Sequence, residues 1–111
     1  MEMKTKNKLL IAIERSQTAY QNYGLDKKYI QALRIYNANQ EVYKLLHKLM
    51  YQSNTNLEDV FDYLFHLEDW FATFENTVEN LQPQLGDVFA FERIAGSMSY
   101  PKEFYNNLKM N

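Results

Sequence analysis

Cysteine is absent from this chain of 111 residues, and glycine and proline are scarce, with three and two residues respectively. Without cysteine the chain has no disulfide framework, no thiol nucleophile and no cysteine metal site. So few glycines and prolines argue against a turn-rich β fold, and a hydrophobic content of 46% argues against disorder. The composition therefore indicates a folded protein, and we expect residues 1–111 to form one domain.

Long hydrophobic runs are missing as well. The apolar run Leu9–Ile13 is only five residues long, which is too short for the core of a signal peptide or for a membrane span. The absence of cysteine fits a reducing compartment. Together these features predict a cytoplasmic protein that has no membrane partner.

The usual sequence signatures of catalysis are not present. Gly24, Gly86 and Gly96 are too far apart to form a phosphate-binding loop, and no Gly-x-Ser-x-Gly nucleophile elbow occurs. The two histidines, His47 and His66, fall on different predicted helices. We therefore expect a protein that is not an enzyme and that binds no metal or other cofactor.

Apolar residues recur three and four positions apart along most of the chain, which is the spacing of amphipathic α-helices. The predicted fold class is all-α, an antiparallel helical bundle of about four main helices with a short C-terminal helix. The predicted main helices are about Thr5–Asn22, Lys27–Tyr51, Asn56 to the residues before Pro83, and Leu85–Gly96. The short C-terminal helix has Pro101 in its first turn and runs through Tyr105 to Met110.

Several residues predict where these helices begin and end. Gly24 should stop the first helix, because glycine tolerates the left-handed conformation at a helix end, and Asp26 should cap the second. Thr55 and Glu58 have the spacing of a capping box at the start of the third helix. Pro83 should end that helix.

The third helix carries an apolar seam with alternating steps of three and four residues, which is typical of left-handed bundle packing. We expect Leu64, Leu67 and Phe71 to be buried in the core. The whole seam comprises Leu57, Val60, Leu64, Leu67, Phe71, Phe74, Val78 and Leu81.

Charge is distributed unevenly although the net charge is only −2. Residues 1–55 carry nine Lys and Arg against four Asp and Glu, a net of +5, whereas residues 56–111 carry three against ten, a net of −7. One interpretation is that basic and acidic helices attract one another inside the bundle. The other is that an acidic face steers a basic partner.

Tyrosines recur along one edge of the second helix. Tyr29, Tyr36, Tyr43 and Met50 lie seven residues apart, so that the line they form drifts only slowly around the helix. These tyrosines could border the core and keep their hydroxyls in water. They could instead form a contact surface for another protein, because Tyr and Met are enriched in interfaces.

An acidic face with one histidine lies opposite the seam of the third helix. It contains Asp59, Asp62, His66 and Asp69, which are three or four residues apart. Carboxylates and a histidine are possible metal ligands, but the Glu-x-x-His motif of di-iron bundles is absent. We therefore expect a solvated acidic surface there.

The features together predict a small, non-enzymatic protein-interaction module, such as an inhibitor, immunity protein or antitoxin, with a phage or mobile element as a fitting origin. Its expected partner is a protein, for which a basic nucleic-acid-handling enzyme is a candidate, and no direct contact with nucleic acid is expected. The abundance of aromatic residues, including Trp70, contributes to this expectation. The expected partner-binding residues are Tyr29, Tyr36, Tyr43, Glu68, Asp69, Glu75 and Glu79.

Two other classes of function also fit the sequence. The chain could be a structural protein that self-assembles into a homo-oligomer through the seam or the tyrosine line. It could also be a metal-dependent helical enzyme that uses Asp62, His66 and Asp69.

Overall fold

A computed structural model of the chain describes residues 3–51, 57–82, 84 and 105–106. These residues form three α-helices, and no strand occurs among them, so the predicted all-α class is confirmed. The helices are α1 (Met3–Leu25), α2 (Tyr29–Leu49) and α3 (Leu57–Leu81).

The predicted fourth helix, Leu85–Gly96, lies outside the described residues, and so does Thr55 of the predicted capping box. Of the predicted C-terminal helix only Tyr105 and Asn106 are described, and both are helical. The Tyr105 hydroxyl donates a hydrogen bond of 2.6 Å to Glu14 Oε1 on α1. The count of four main helices is therefore not confirmed, and three are described.

The three helices run up, down and up. One buried cluster joins the first half of α1 to the last half of α2 and the first half of α3. A second cluster joins the last half of α1 to the first half of α2 and the last half of α3. Each helix is therefore antiparallel to the next one, as predicted. Residues typical of the two clusters are Leu9, Ile13, Leu46, Leu49 and Leu64 in the first and Tyr23, Ile35, Trp70 and Phe74 in the second.

Two hydrogen bonds between polar side chains join α1 and α2 between these clusters. Ser16 Oγ donates a hydrogen bond of 2.6 Å to Asn39 Oδ1, and Asn39 Nδ2 donates one of 3.1 Å to the Tyr20 hydroxyl. Burial raises the pKa of Tyr20 to about 12, although the hydrogen bond with Asn39 opposes that change. Because a buried polar group without a partner is costly, these bonds favour one register of α1 against α2.

The turn between α1 and α2 differs from its prediction in two ways. Gly24 does not stop α1, since it lies inside a helix that continues to Leu25 and it has no positive φ. Asp26 does not cap α2. The N-cap is Lys28, which makes no capping hydrogen bond through its side chain, and the Lys28 ammonium lies 3.8 Å from the Asp26 carboxylate.

The ends of α2 and α3 lie close to their predicted positions. Helix α2 ends at Leu49, two residues before the predicted Tyr51. Helix α3 ends at Leu81, where Gln82 adopts a φ of 44° and donates its amide to the Val78 carbonyl over 3.1 Å. A left-handed residue that satisfies a terminal carbonyl is a common helix ending.

The seam of α3 is largely in the core. Leu64 and Leu67 are buried as predicted, whereas Phe71 is only half-buried and Leu81 is 63% exposed at the helix end. The seam prediction missed Tyr63 and Trp70, which are both buried. Helix α3 therefore buries a wider sector than a strict two-helix seam would require.

Candidate protein-binding groove

A groove of about 490 Å³ runs between α2 and α3 on one side of the bundle. Its position follows from the seven-residue spacing of Tyr36 and Tyr43, which keeps both rings on the edge of α2 that faces α3. The groove is lined by Tyr36, Gln40, Tyr43, Glu68, Phe71, Ala72 and Glu75.

Aromatic rings form the floor of this α2–α3 groove. The ring centroids of Tyr36 and Phe71 are 5.4 Å apart, and those of Tyr43 and Phe71 are 5.8 Å apart, both with the rings edge to face. Tyr36 also stacks on Phe74 at 4.8 Å. Tyr36, Tyr43 and Phe71 are half-buried, so each ring packs against the core and still presents part of its surface to solvent. Such rings offer apolar contact area that is already held in place.

Carboxylates from α3 form one rim of the groove. Glu68 and Glu75 are exposed, and Ala72 lies between them on the same stripe of the helix. The Tyr43 hydroxyl donates a hydrogen bond of 3.1 Å to Glu68 Oε1. Partial burial raises the pKa of Tyr43, and both this bond and the negative charge of Glu68 act in the same direction.

Four of the seven predicted partner-binding residues line this single groove, namely Tyr36, Tyr43, Glu68 and Glu75. The other three do not line it. Tyr29 packs on Phe74 with the ring centroids 6.4 Å apart, while Asp69 and Glu79 are exposed elsewhere on α3. Glu79 follows Glu75 by four residues and so extends the acidic rim, whereas Asp69 is rotated about 100° from Glu68.

Trp70 cannot contribute to a contact surface in this structure. Its side chain has no exposed area, and its ring contacts Tyr20, Tyr36 and Phe74 at centroid distances between 5.3 and 6.4 Å. Its indole Nε1 is buried and has no hydrogen-bond partner. The abundance of aromatic residues that favoured an interaction protein is therefore, for Trp70, a property of the core.

His66 is not on a fully solvated face, contrary to the prediction. It is half-buried, its Nε2 has no hydrogen-bond partner, and its ring lies 6.2 Å from that of Tyr63. Burial lowers the pKa of His66, although the charge of Asp69 opposes that change. Asp62 and Asp69 are exposed. Within residues 3–51, 57–82, 84 and 105–106, no group of three or more His, Asp and Glu side chains could hold a metal ion.

A second groove, between α1 and α2, is lined by cations that the sequence analysis did not single out. Lys8, Arg15, Arg34, Lys44 and Lys48 surround it, together with Glu41. No ion pair joins these five cations to carboxylates in the part of the chain that the structure describes. These five cations are therefore available to a ligand or partner that carries negative charge.

The residues that line this groove on α2 include three charged residues that recur with a fixed spacing in the sequence. Arg34, Glu41 and Lys48 lie seven residues apart, each two positions before a member of the tyrosine line. Residues two apart on an α-helix point in directions that differ by about 200°. The basic groove and the tyrosine line must therefore lie on nearly opposite sides of α2.

Exposed aromatic residues continue the acidic rim toward the start of α3. Phe61 is 39% exposed and Phe65 is 61% exposed. We call the line formed by Phe61, Phe65, Glu68, Ala72, Glu75 and Glu79 the α3 stripe. Its steps of four and three residues place all six side chains on one outer sector of the helix. Only the three carboxylates of this stripe were predicted from the sequence to bind a partner.

Comparison with known proteins finds no matching family model, no matching curated protein and no matching solved structure. Within the described ranges, no helix combines the length and apolar character that crossing a bilayer requires.

Proposed function

We propose that this protein is a non-enzymatic interaction module of the inhibitor, immunity or antitoxin type, and that its α2–α3 groove binds a basic helical segment of another protein. One observation carries the proposal. The groove combines half-buried aromatic rings with two exposed carboxylates along the same edge. A basic enzyme that handles nucleic acid is the partner class that best matches this surface.

Helix-in-groove recognition requires an apolar floor that accepts anchor side chains at helical spacing. Tyr36, Tyr43 and Phe71 supply such a floor, and the small side chain of Ala72 leaves room for close approach. Lys and Arg of the partner would lay their apolar stems across these rings and direct their charges toward Glu68 and Glu75.

Electrostatics would mainly affect the rate of association. Glu68, Glu75 and Glu79 are exposed and form no ion pair with the described cations, so their field reaches into solvent. Complementary charge on a partner would accelerate the encounter, and added salt would screen that effect. The floor residues would then determine how long the complex lasts.

Three further features belong to this proposal. The fold is completed by a fourth main helix and a short C-terminal helix, the protein acts in the cytoplasm, and neither metal nor another cofactor takes part. Their support is the helical spacing of the sequence, the lack of cysteine and the lack of converging metal ligands in the described ranges.

A matched pair of charge reversals tests the proposal. The rim variant is Glu68→Lys with Glu75→Lys, and the control is Asp62→Lys with Asp69→Lys. All four residues are exposed on α3, and the two residues of each pair are seven positions apart. Each variant replaces two carboxylates with two lysines, so both change the net charge equally. Wild type and both variants are used as bait in extracts of the producing cells, and the bound proteins are quantified by mass spectrometry.

The proposal predicts a basic protein that is recovered by the wild type and the control but is lost from the rim variant. Its association rate with the wild type should fall as salt is added. In addition, Tyr43→Ala should weaken its binding by about 1–4 kcal/mol, as is typical of an interface hot spot. Equal recovery by both charge-reversal variants, together with an association rate indifferent to salt, would refute the proposal.

A further inference from the structure

The basic α1–α2 groove is an extended surface rather than an isolated pocket. Two adjoining cavities, of about 460 and 390 Å³, share Ala12, Arg15 and Glu41. The cations lie on both sides of the groove. Lys8 and Arg15 belong to α1, and Arg34, Lys44 and Lys48 belong to α2. All five cations are exposed. The groove therefore presents positive charge along two neighbouring helices and suits an elongated anionic ligand.

Small side chains make this groove accessible to another helix. Ala12, Ala19 and Ala38 lie along its floor, where α1 and α2 pack closely. A helix can seat a ridge of side chains between two others when the residues beneath it are small. The expected occupant is therefore a helix that carries carboxylates and has a small residue at its centre.

The α3 stripe of the same protein has these properties. Glu68 and Glu75 are separated by about 10 Å along the helix axis, and the exposed Ala72 lies between them. Phe61 and Phe65 add exposed apolar surface at one end. The stripe belongs to α3, and the basic groove lies on the far side of α2. The stripe of one copy therefore cannot dock into the basic groove of the same copy.

We propose that a second copy of this chain docks its α3 stripe into the basic α1–α2 groove of the first. The contact is head to tail, since each copy uses two different surfaces. Each docked pair then retains one vacant groove and one vacant stripe, so assembly continues as the protein concentration rises. This inference does not depend on the proposed function, because it requires no other protein.

Glu41 favours a second copy over a nucleic-acid backbone as the occupant. It lines both cavities, between cations on α1 and α2. A duplex presents one charge about every 1.7 Å along its axis and cannot omit the phosphate that would face this carboxylate. The α3 stripe can place Ala72 opposite Glu41 and direct Glu68 and Glu75 toward the cations on either side.

Two double variants that each lose one surface provide the test. The stripe variant is Glu68→Lys with Glu75→Lys, and the groove variant is Arg15→Glu with Lys44→Glu. All four positions are exposed, and circular dichroism verifies that both variants fold. Analytical ultracentrifugation then measures the mass of the wild type, of each variant and of their equal mixture, at low salt and at about 1 M salt, where the Debye length is about 3 Å.

The wild type should exceed its monomer mass of 13.3 kDa at low salt, increasingly with concentration, and should return to that mass at high salt. Each variant alone should remain a monomer. The mixture should associate although neither variant does so alone, because the stripe of one variant and the groove of the other remain intact.

Three results would overturn the inference. A wild type that stays monomeric at every concentration in low salt excludes the assembly. Assembly that persists in both variants, or that ignores salt, indicates an apolar contact elsewhere. A monomeric wild type that binds duplex DNA, with binding lost only in the groove variant, would assign the basic groove to nucleic acid.

Discussion

The two helix contacts of this bundle are built from different side chains, and their outer grooves differ accordingly. Between α1 and α2 the contact contains Ala12, Ala19 and the hydrogen-bonded Ser16 and Asn39. Between α2 and α3 it contains stacked aromatic rings, namely Tyr29 and Tyr36 on Phe74. The α1 and α2 backbones come within 8 Å of each other at more positions than the α2 and α3 backbones do.

Residue size explains this difference in spacing. Alanine and serine allow two helix backbones to approach, whereas Tyr36, Trp70 and Phe74 must fit their rings between α2 and α3. Tyr36 belongs both to this contact and to the floor of the α2–α3 groove, where its ring packs against Phe71. The shape of the groove is thus a consequence of how the core is packed.

Substitution of Trp70 should disturb the aromatic contact between α2 and α3 most severely. Replacing it with alanine removes the largest buried side chain, which contacts both α1 and α2, and leaves a cavity. Trp70→Ala should lower the free energy of unfolding by about 3–5 kcal/mol in a denaturant titration. A loss below about 1 kcal/mol would show that the aromatic contact does not hold α3 in place.

A smaller effect should distinguish the two contacts by overpacking. Ala12→Leu adds bulk where α1 and α2 are close and should destabilise the fold by about 1–3 kcal/mol. Ala72→Leu makes the same change on the exposed rim of the α2–α3 groove and should stay within about 0.5 kcal/mol of the wild type. Equal losses of stability in the two variants would contradict the difference in spacing.

The smallest expected effect concerns the end of α1. Gly24 is helical and exposed, and a Cβ atom added there would have no neighbour within 4 Å. Gly24→Ala should therefore raise the free energy of unfolding by about 0.5–1 kcal/mol. If Gly24 instead adopted the left-handed conformation of a helix stop, the same change would destabilise the protein, and thermal or denaturant unfolding decides between these outcomes.

Sequence periodicity predicted part of this architecture correctly. Steps of three and four residues identified Leu64 and Leu67 as buried, because that spacing repeats on one face of a helix. The same pattern missed Tyr63 and Trp70, since a two-helix seam is narrower than the sector that α3 buries. The residues at the α1–α2 turn were misjudged because glycine and aspartate are compatible with several backbone conformations.

The candidate site was predictable residue by residue but not as a unit. The spacing of Tyr36 and Tyr43 placed them on one edge of α2, yet only the adjacency of α3 brings Glu68 and Glu75 beside them. The basic groove was missed because charge was counted along halves of the chain rather than around each helix. Counting by helix face would have separated Arg34 and Lys48 from the tyrosines.

The most direct test of the central claim, that the α2–α3 groove is the partner-binding surface, uses the absence of cysteine. Ala72→Cys and Asn37→Cys each introduce one thiol into an otherwise thiol-free chain, the first in the α2–α3 groove and the second in the α1–α2 groove. Maleimide labelling is measured on dilute protein with and without the captured partner. We predict that the partner slows labelling in the Ala72→Cys protein, in proportion to the bound fraction, and leaves labelling in the Asn37→Cys protein unchanged. Protection confined to the Asn37→Cys protein, or absent from both while the partner is bound, would contradict the account.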